Sequence, residues 1–374
     1  MPPELVIPSE LLPRDGRFGS GPSRVRDAQI QAVVDAQPHV LGTSHRQAPV
    51  KNVVGAVRDG LSELYALPDG YEVILGNGGS TSFWDAATFS LVEQRAQHCA
   101  FGEFGAKFAK ATAAAPFLDD SQVREAPAGD IALPEPADGI DVYAWPHNET
   151  STGAMAPALR PQGTEGALTV IDGTSAAGGL ALDPTQADVY YFAPQKSFGS
   201  DGGLWLALVS PAAIERIERI AASGRWIPAT LDLATALENS RANQTLNTPA
   251  VATLVMLAEQ LRWLNGNGGM DFALSRTAES ARRIYQWADA SDFAETFVTK
   301  PSARSSVVAT VDLSPSVDSS VLRTILRSQG VVDIDPYRKL GRNQIRVGMF
   351  PAVDPDDVSA LTASIDWIVE RLQT

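Results

Sequence analysis

The sequence predicts an α/β protein: a large unit with a mainly parallel sheet covered by helices, followed by a smaller C-terminal α+β unit. Three observations carry this. Five short runs are apolar at nearly every position, as strands buried on both faces must be. Longer segments with helical periodicity alternate with them. Beyond the glycine-rich stretch Gly266–Gly269 the alternation gives way to a compact mixture of helices and strands.

In order, the apolar runs are Tyr71–Gly76 (YEVILG), Val142–Trp145 (VYAW), Ala167–Asp172 (ALTVID), Asp188–Ala193 (DVYYFA) and Leu204–Val209 (LWLALV). Their Val, Ile, Leu and aromatic content suits strands. Helical patterns cover SRVRDAQIQAVVDA, VKNVVGAVRDGLSELYAL, STSFWDAATFSLVEQ and PAAIERIERIAAS. The last has Ser210 as N-cap and Pro211 at the first helical position. A further helix is expected to begin at Pro249 and stop at the glycines. After it come helix FALSRTAESARRIYQWADA, strand SSVVATVDLS, helix SSVLRTILRSQG, strand QIRVGMF and a final helix from Asp354 to Thr374. This places an N-terminal arm over 1–15, a large unit over 16–266 and a small unit over 267–374.

The chain has 374 residues, a net charge of -14 and one cysteine, Cys99. The acidic balance argues against nucleic-acid and membrane partners, which select basic surfaces. A lone cysteine excludes an internal disulfide framework, and no metal site is expected. The N-terminus lacks a basic start and a continuous apolar region, so the expected location is the cytoplasm.

Two strand ends stand out. Asp172 closes one apolar run and Lys196 follows another, and in an open α/β sheet both would aim into the crevice beyond the carboxyl ends of the strands. A buried lysine and a carboxylate are the two protein groups that pyridoxal phosphate chemistry needs most; a solvated lysine is the plainer alternative. The turn GNGGSTSFW sets Ser80 and Thr81 at a helix N-terminus, where free N–H groups favour a phosphate. Phe104, in GEFGAKF, could stack on a planar ring or fill the core. His45 and Arg46 lie side by side in a polar loop, a pair suited to a phosphate or carboxylate. Arg338, Lys339, Arg342 and Arg346 form a cationic cluster, and Arg346 sits within a strand pattern, where it needs a partner.

With these residues in view, the sequence resembles the phosphoserine aminotransferases, class V members of the fold-type I pyridoxal-phosphate enzymes, and most closely their actinobacterial branch. The resemblance runs from RFGSGPSRVR to MFPAVDPDDVSAL and is carried by GTSHRQAPVK, PHNETSTG, FAPQKSFGSDGGLW, NQTLNTPA and PYRKLGRNQIRVGMFP. It implies a seven-stranded sheet and a homodimer with shared active sites. It implies that Lys196 forms the Schiff base and that Asp172 holds the pyridine nitrogen protonated. Phe104 would stack on the ring, with Thr150 on its hydroxyl side. Ser80, Thr81 and Gln195 would bind the cofactor phosphate, joined by Asn247 and Thr248 from the neighbouring subunit. Arg346 would clamp the substrate α-carboxylate, and His45 and Arg46 its distal anion. Many members carry a His-Arg pair just upstream of that clamp. Here YRKLGRNQ stands in its place, so Arg338, Lys339 and Arg342 are all candidates for the distal anion. Members convert 3-phosphohydroxypyruvate and glutamate to O-phospho-L-serine and 2-oxoglutarate, and some also serve the 4-phosphohydroxy-threonine step of pyridoxine biosynthesis. The competing expectations are another class V enzyme, such as a serine or alanine–glyoxylate aminotransferase, and a non-catalytic pyridoxal-phosphate-binding regulator.

Overall fold

The computed structural model describes residues 5–372, so the extreme ends of the expected arm and last helix lie outside it. The helices are α1 (Asp27–Ala36), α2 (Ala48–Leu64), α3 (Ser80–Ser90), α4 (Glu103–Ala113), α5 (Pro211–Ala222), α6 (Leu233–Arg241), α7 (Val251–Gly266), α8 (Gly269–Ala290), α9 (Ser319–Ser328) and α10 (Pro355–Leu372). The strands are β1 (Glu72–Asn77), β2 (Ala96–Ala100), β3 (Gln122–Glu125), β4 (Val142–Pro146), β5 (Asn148–Glu149), β6 (Ala154–Met155), β7 (Leu168–Asp172), β8 (Val189–Phe192), β9 (Leu204–Val209), β10 (Ala294–Thr296), β11 (Val308–Leu313) and β12 (Gln344–Gly348).

Seven strands form one sheet in the order β1-β9-β8-β7-β4-β2-β3. All are parallel except β9, which runs against both β1 and β8. Successive residues of each strand feed opposite faces. Ile74, Val170, Tyr191 and Ala207 join the core beneath α3, α5 and α6. Val73, Ile171, Tyr190 and Leu206 join the core on the opposite face, with α2 and α7. Two covered faces explain why these strands read as unbroken apolar runs. All five expected strands are present. The sequence reading did not single out β2 or β3; β3 is an edge strand whose residues alternate between half-buried and exposed, so it has no apolar run. Helix α7 starts at Val251, two residues later than expected. Helix α5 is capped as its sequence suggests, the Ser210 hydroxyl accepting from the Ala213 N–H at 3.2 Å.

The antiparallel sheet β10-β11-β12 packs with α9, α10 and the second half of α8 around a further core. Ile7 and Phe18 belong to this core. The N-terminal segment is tied to it by bonds from the Ser364 hydroxyl to the Leu11 carbonyl (2.8 Å) and from the Arg14 N–H to Asp357 (2.8 Å). Cys99 is fully buried in the large core, which pushes its thiol up to about 12 and leaves it a packing residue. Among the described residues no helix is long and apolar enough to cross a membrane.

Candidate active site

The carboxyl ends of the parallel strands lie along one edge of the large sheet, and the chain after each supplies a polar group there. Asp172 is the last residue of β7, and Lys196 follows β8 by four residues. Both are buried, at 7% and 8% exposure. The Lys196 Nζ donates to the Thr150 hydroxyl at 2.8 Å. Burial lowers its pKa to about 8, with the Arg346 charge acting in the same direction and Asp172 and Glu149 opposing it. The amine is thus neutral in a useful fraction near physiological pH, as a nucleophile or base requires. Burial pushes the Asp172 carboxyl up, while hydrogen bonds from Thr174 and Tyr191 pull it back. Tyr191 is held in turn by the Trp84 indole N–H at 2.8 Å.

The Phe104 ring, in the first turn of α4, lies with its centre 5.2 Å from the Lys196 Nζ. Arg346 on β12 reaches over from the small sheet and donates to the Thr150 carbonyl at 3.2 Å. Its buried Nε has no partner, a donor left for an incoming anion. Tyr337 packs between these groups, its ring 6.4 Å from that of Phe104 and 5.6 Å from the Arg346 guanidinium.

Helix α3 opens on Gly79, with no side-chain cap. A methyl placed on Gly79 would meet nothing within 4 Å, so there is room beside the start of α3, whose first N–H groups have no side-chain cap. The Ser80 hydroxyl lies 2.5 Å from that of Thr174, and Thr81 is exposed beside it. The amide oxygen of Gln195 and the hydroxyl of Ser197 are buried without partners. A weakly basic buried amine, a carboxyl that favours a proton, an aromatic face and an uncapped helix N-terminus fit pyridoxal phosphate. Lys196, Asp172, Phe104 and the Ser80–Thr81 turn could hold its aldehyde, ring nitrogen, ring face and phosphate respectively.

The other expected residues form a second cluster. Thr248 Oγ1 lies 3.1 Å from His45 Nδ1. Arg46 donates to Gln244 at 2.6 Å and to the Leu246 carbonyl at 3.0 Å. Asn77, at the end of β1, donates to the carbonyls of Asn247 and Thr248 at 3.3 and 3.1 Å. None of His45, Arg46, Asn247 and Thr248 bonds to Lys196 or Asp172 within the chain.

The Arg342 guanidinium is engaged by Asp312 and lies 4.7 Å from the Phe297 ring centre. It lines a polar cavity of about 810 Å³ on the small sheet. Three residues separate it from Arg346: Arg342 stands just before β12, beside Asp312 on β11, whereas Arg346 is the middle residue of the strand and pairs with Thr310. Lys339 bonds to Glu103 at 2.5 Å. Arg338 is exposed, and its side chain has no hydrogen bond or ion pair among the described residues.

Gly199 takes a positive φ of 51°, and a Cβ there would come within 2.3 Å of the Arg24 carbonyl oxygen, so this glycine serves backbone packing. The close approach to the lysine comes from Gly21, which sequence reasoning passed over. A Cβ there would lie 2.7 Å from the Lys196 Cε, and its φ is +128°. Gly21→Ala is expected to push the lysine arm aside and weaken cofactor retention by about tenfold, the scale of a modest overpacking strain. Equilibrium dialysis of pyridoxal phosphate checks this, and unchanged retention would show that the arm has slack.

The class-V aminotransferase model matches residues 129–334. A Mycolicibacterium vanbaalenii protein, provisionally named phosphoserine aminotransferase, is 62% identical over 372 residues and the full length of both chains. The phosphoserine aminotransferase of Corynebacterium glutamicum is 57% identical over 98% of this chain and 97% of its own. The crystal structure of a phosphoserine aminotransferase from Cytophaga hutchinsonii has the same fold. It superposes with a TM-score of 0.86 at 23% identity, over 94% of this chain and 99% of that one.

Proposed function

This chain belongs to the class-V aminotransferase family, and from that premise we propose that it is a pyridoxal-phosphate-dependent phosphoserine aminotransferase. It exchanges the amino group between L-glutamate and 3-phosphohydroxypyruvate, giving 2-oxoglutarate and O-phospho-L-serine. The observation that carries this reading is the convergence of a buried amine, a buried carboxyl and a guanidinium with a free buried donor at one sheet edge, in Lys196, Asp172 and Arg346.

Bound there, pyridoxal phosphate supplies an aldehyde that links to amines and a ring that accepts the electron pair freed at the substrate Cα. Lys196 would hold it through Nζ, and that nitrogen, when free and neutral, would accept the substrate Cα proton and give it back as an acid. Thr150 aims that nitrogen. Asp172 keeps a proton on the ring nitrogen, and its own raised proton affinity suits the shared bond. Phe104 covers one ring face. The α3 N-terminus, Ser80, Thr81 and Gln195 bind the phosphate.

Arg346 pairs with the substrate α-carboxylate through its free donors. His45 and Arg46 bind the distal anion, a phosphate in one half-reaction and a carboxylate in the other. In this reading the 45–46 and 247–248 cluster faces the site of a second copy of the chain, so that the active unit is a homodimer. Arg338, unpaired on the strap beside Lys339, adds the remaining cation. The division into an arm (1–15), a large unit (16–266) and a small unit (267–374) is the working one; most apolar residues after Gly268 form a core of their own, while Ala273, Val298 and Ala303 pack into the large core and Ile7 and Phe18 into the small one.

The test is a half-reaction screen: cofactor-loaded protein is mixed with phosphoserine, glutamate, serine or alanine, and loss of the lysine-linked chromophore is followed. Phosphoserine and glutamate are expected to react, and serine and alanine to lag by about a hundredfold or more, the scale of two lost charge-assisted hydrogen bonds. Arg46→Ala is expected to lower the phosphoserine rate by about tenfold to a hundredfold while sparing alanine. Equal losses on both would remove Arg46 from the distal site. A preference for serine or alanine would favour the glyoxylate-linked class V enzymes.

A further inference from the structure

Glu149 is fully buried in the short β5–β6 hairpin and has no part in the reaction as described so far. One carboxylate oxygen accepts from the backbone N–H groups of Phe104 and Gly105, at 3.0 and 3.2 Å. The other accepts from the Ser151 N–H at 3.2 Å and the Ser151 hydroxyl at 2.6 Å. The Ser151 oxygen in turn accepts from the Glu103 N–H at 3.1 Å. Burial pushes the Glu149 carboxyl up, and the contacts, all of which donate to it, oppose that push by favouring the anion.

These N–H groups are the first three of α4, whose own N-cap is Gly102 and offers no side chain. Glu149 and Ser151 therefore cap the helix from a distant hairpin. Gly102 admits them: a Cβ there would lie 2.3 Å from the Glu149 Cγ and 2.6 Å from the Ser151 hydroxyl. The capped turn carries the Phe104 ring. The residue after Glu149 is Thr150, whose hydroxyl receives the Lys196 amine and whose carbonyl receives Arg346.

We propose that Glu149 is a positioning residue that sets the Phe104 ring against the cofactor face in register with the Lys196 amine. This rests on the assignment of Lys196 as the attachment point. A carboxylate is required because it meets donors on both oxygens. In Glu149→Gln, whichever way the amide is turned, its NH2 group faces donors and one pair loses its acceptor.

Two readouts test this besides activity. In the cofactor-free protein, Glu149→Gln should speed hydrogen exchange at the Phe104 and Gly105 amides by about tenfold or more, as expected for local opening. In the loaded protein, the visible circular dichroism per bound cofactor, which reports the ring's asymmetric surroundings, should fall by about half or more as Phe104 loses its fixed tilt. Faster exchange with an unchanged dichroism would make Glu149 a helix cap only and overturn the proposal, as would no change in either. Ser151→Ala, which removes one donor and leaves the carboxylate, carries the test if the first variant does not fold: a smaller loss of dichroism is expected, and none would overturn the proposal. Wild-type protein that binds no pyridoxal phosphate would overturn both this inference and the function beneath it. A wild type with strong dichroism beside an equally dichroic variant would overturn this inference alone.

Discussion

Lys196→Ala is expected to reduce turnover by about four orders of magnitude, since one residue is both covalent anchor and proton carrier. Borohydride treatment should then leave the chain mass unchanged, whereas the wild type gains one reduced cofactor. A variant within tenfold of the wild type would remove the lysine from both roles. The linkage also has a pH signature. Only the neutral amine attacks, so covalent loading of the cofactor-free protein should accelerate as pH rises through about 8 and then level off. The folded pKa lies below the ordinary lysine value of 10.5, so the unfolded chain holds this proton to higher pH. Stability of the cofactor-free wild type therefore gains a rising contribution between about pH 8 and 10.5, of about 3 kcal/mol in all. The penalty for burying the charged amine is fully present below that window. Lys196→Ala should lack the rise, which denaturant titrations across this range would detect.

Asp172→Asn is expected to lower the rate of the glutamate half-reaction by about a hundredfold to a thousandfold, the scale of one buried charge-assisted interaction at the reacting centre. The amide oxygen can still accept from the Thr174 N–H, which lies 2.8 Å from the present carboxylate. The loss is therefore of charge and not of shape. Stopped-flow traces should show glutamate affinity within a few-fold of wild type, because Arg346 and the distal cluster are untouched. An unchanged rate constant would show that the ring nitrogen needs no anionic partner here.

Much of this site is written in local sequence. The strand ends at Asp172 and Lys196 are visible because both faces of β7 and β8 are buried, so an ionisable residue ends an apolar run abruptly. The turn before α3 is visible because its glycines and hydroxyls are consecutive. What stayed hidden depends on distant pairing. Glu149 sits in the quoted stretch PHNETSTG, yet its partners are the amides of Phe104 and Gly105, more than 40 residues away. A charged residue amid small and polar neighbours gave no periodicity to interpret. Gly21 approaches Lys196 across the sheet edge, and nothing in GSGPS alone names that neighbour. Arg342 stood in a cationic cluster, but Asp312 on the adjoining strand claims it, and only strand register decides such a pairing.

The reversed direction of β9 has a consequence for how the lysine works. Because Phe192 on β8 pairs with Leu206 on β9, residues 193–203 form a loop whose two stems are stitched together. The peptide bearing Lys196 is leashed on both sides, with the Lys196 carbonyl further held by the Gly199 N–H at 2.9 Å. When the amine gives up its bond, the backbone has nowhere to drift. Its wandering is limited to the swing of four methylene groups, within a few ångströms of where it began. A proton shuttle that never leaves its post needs no diffusional search between the two halves of a turnover, and this confers a high effective concentration on the returning nitrogen.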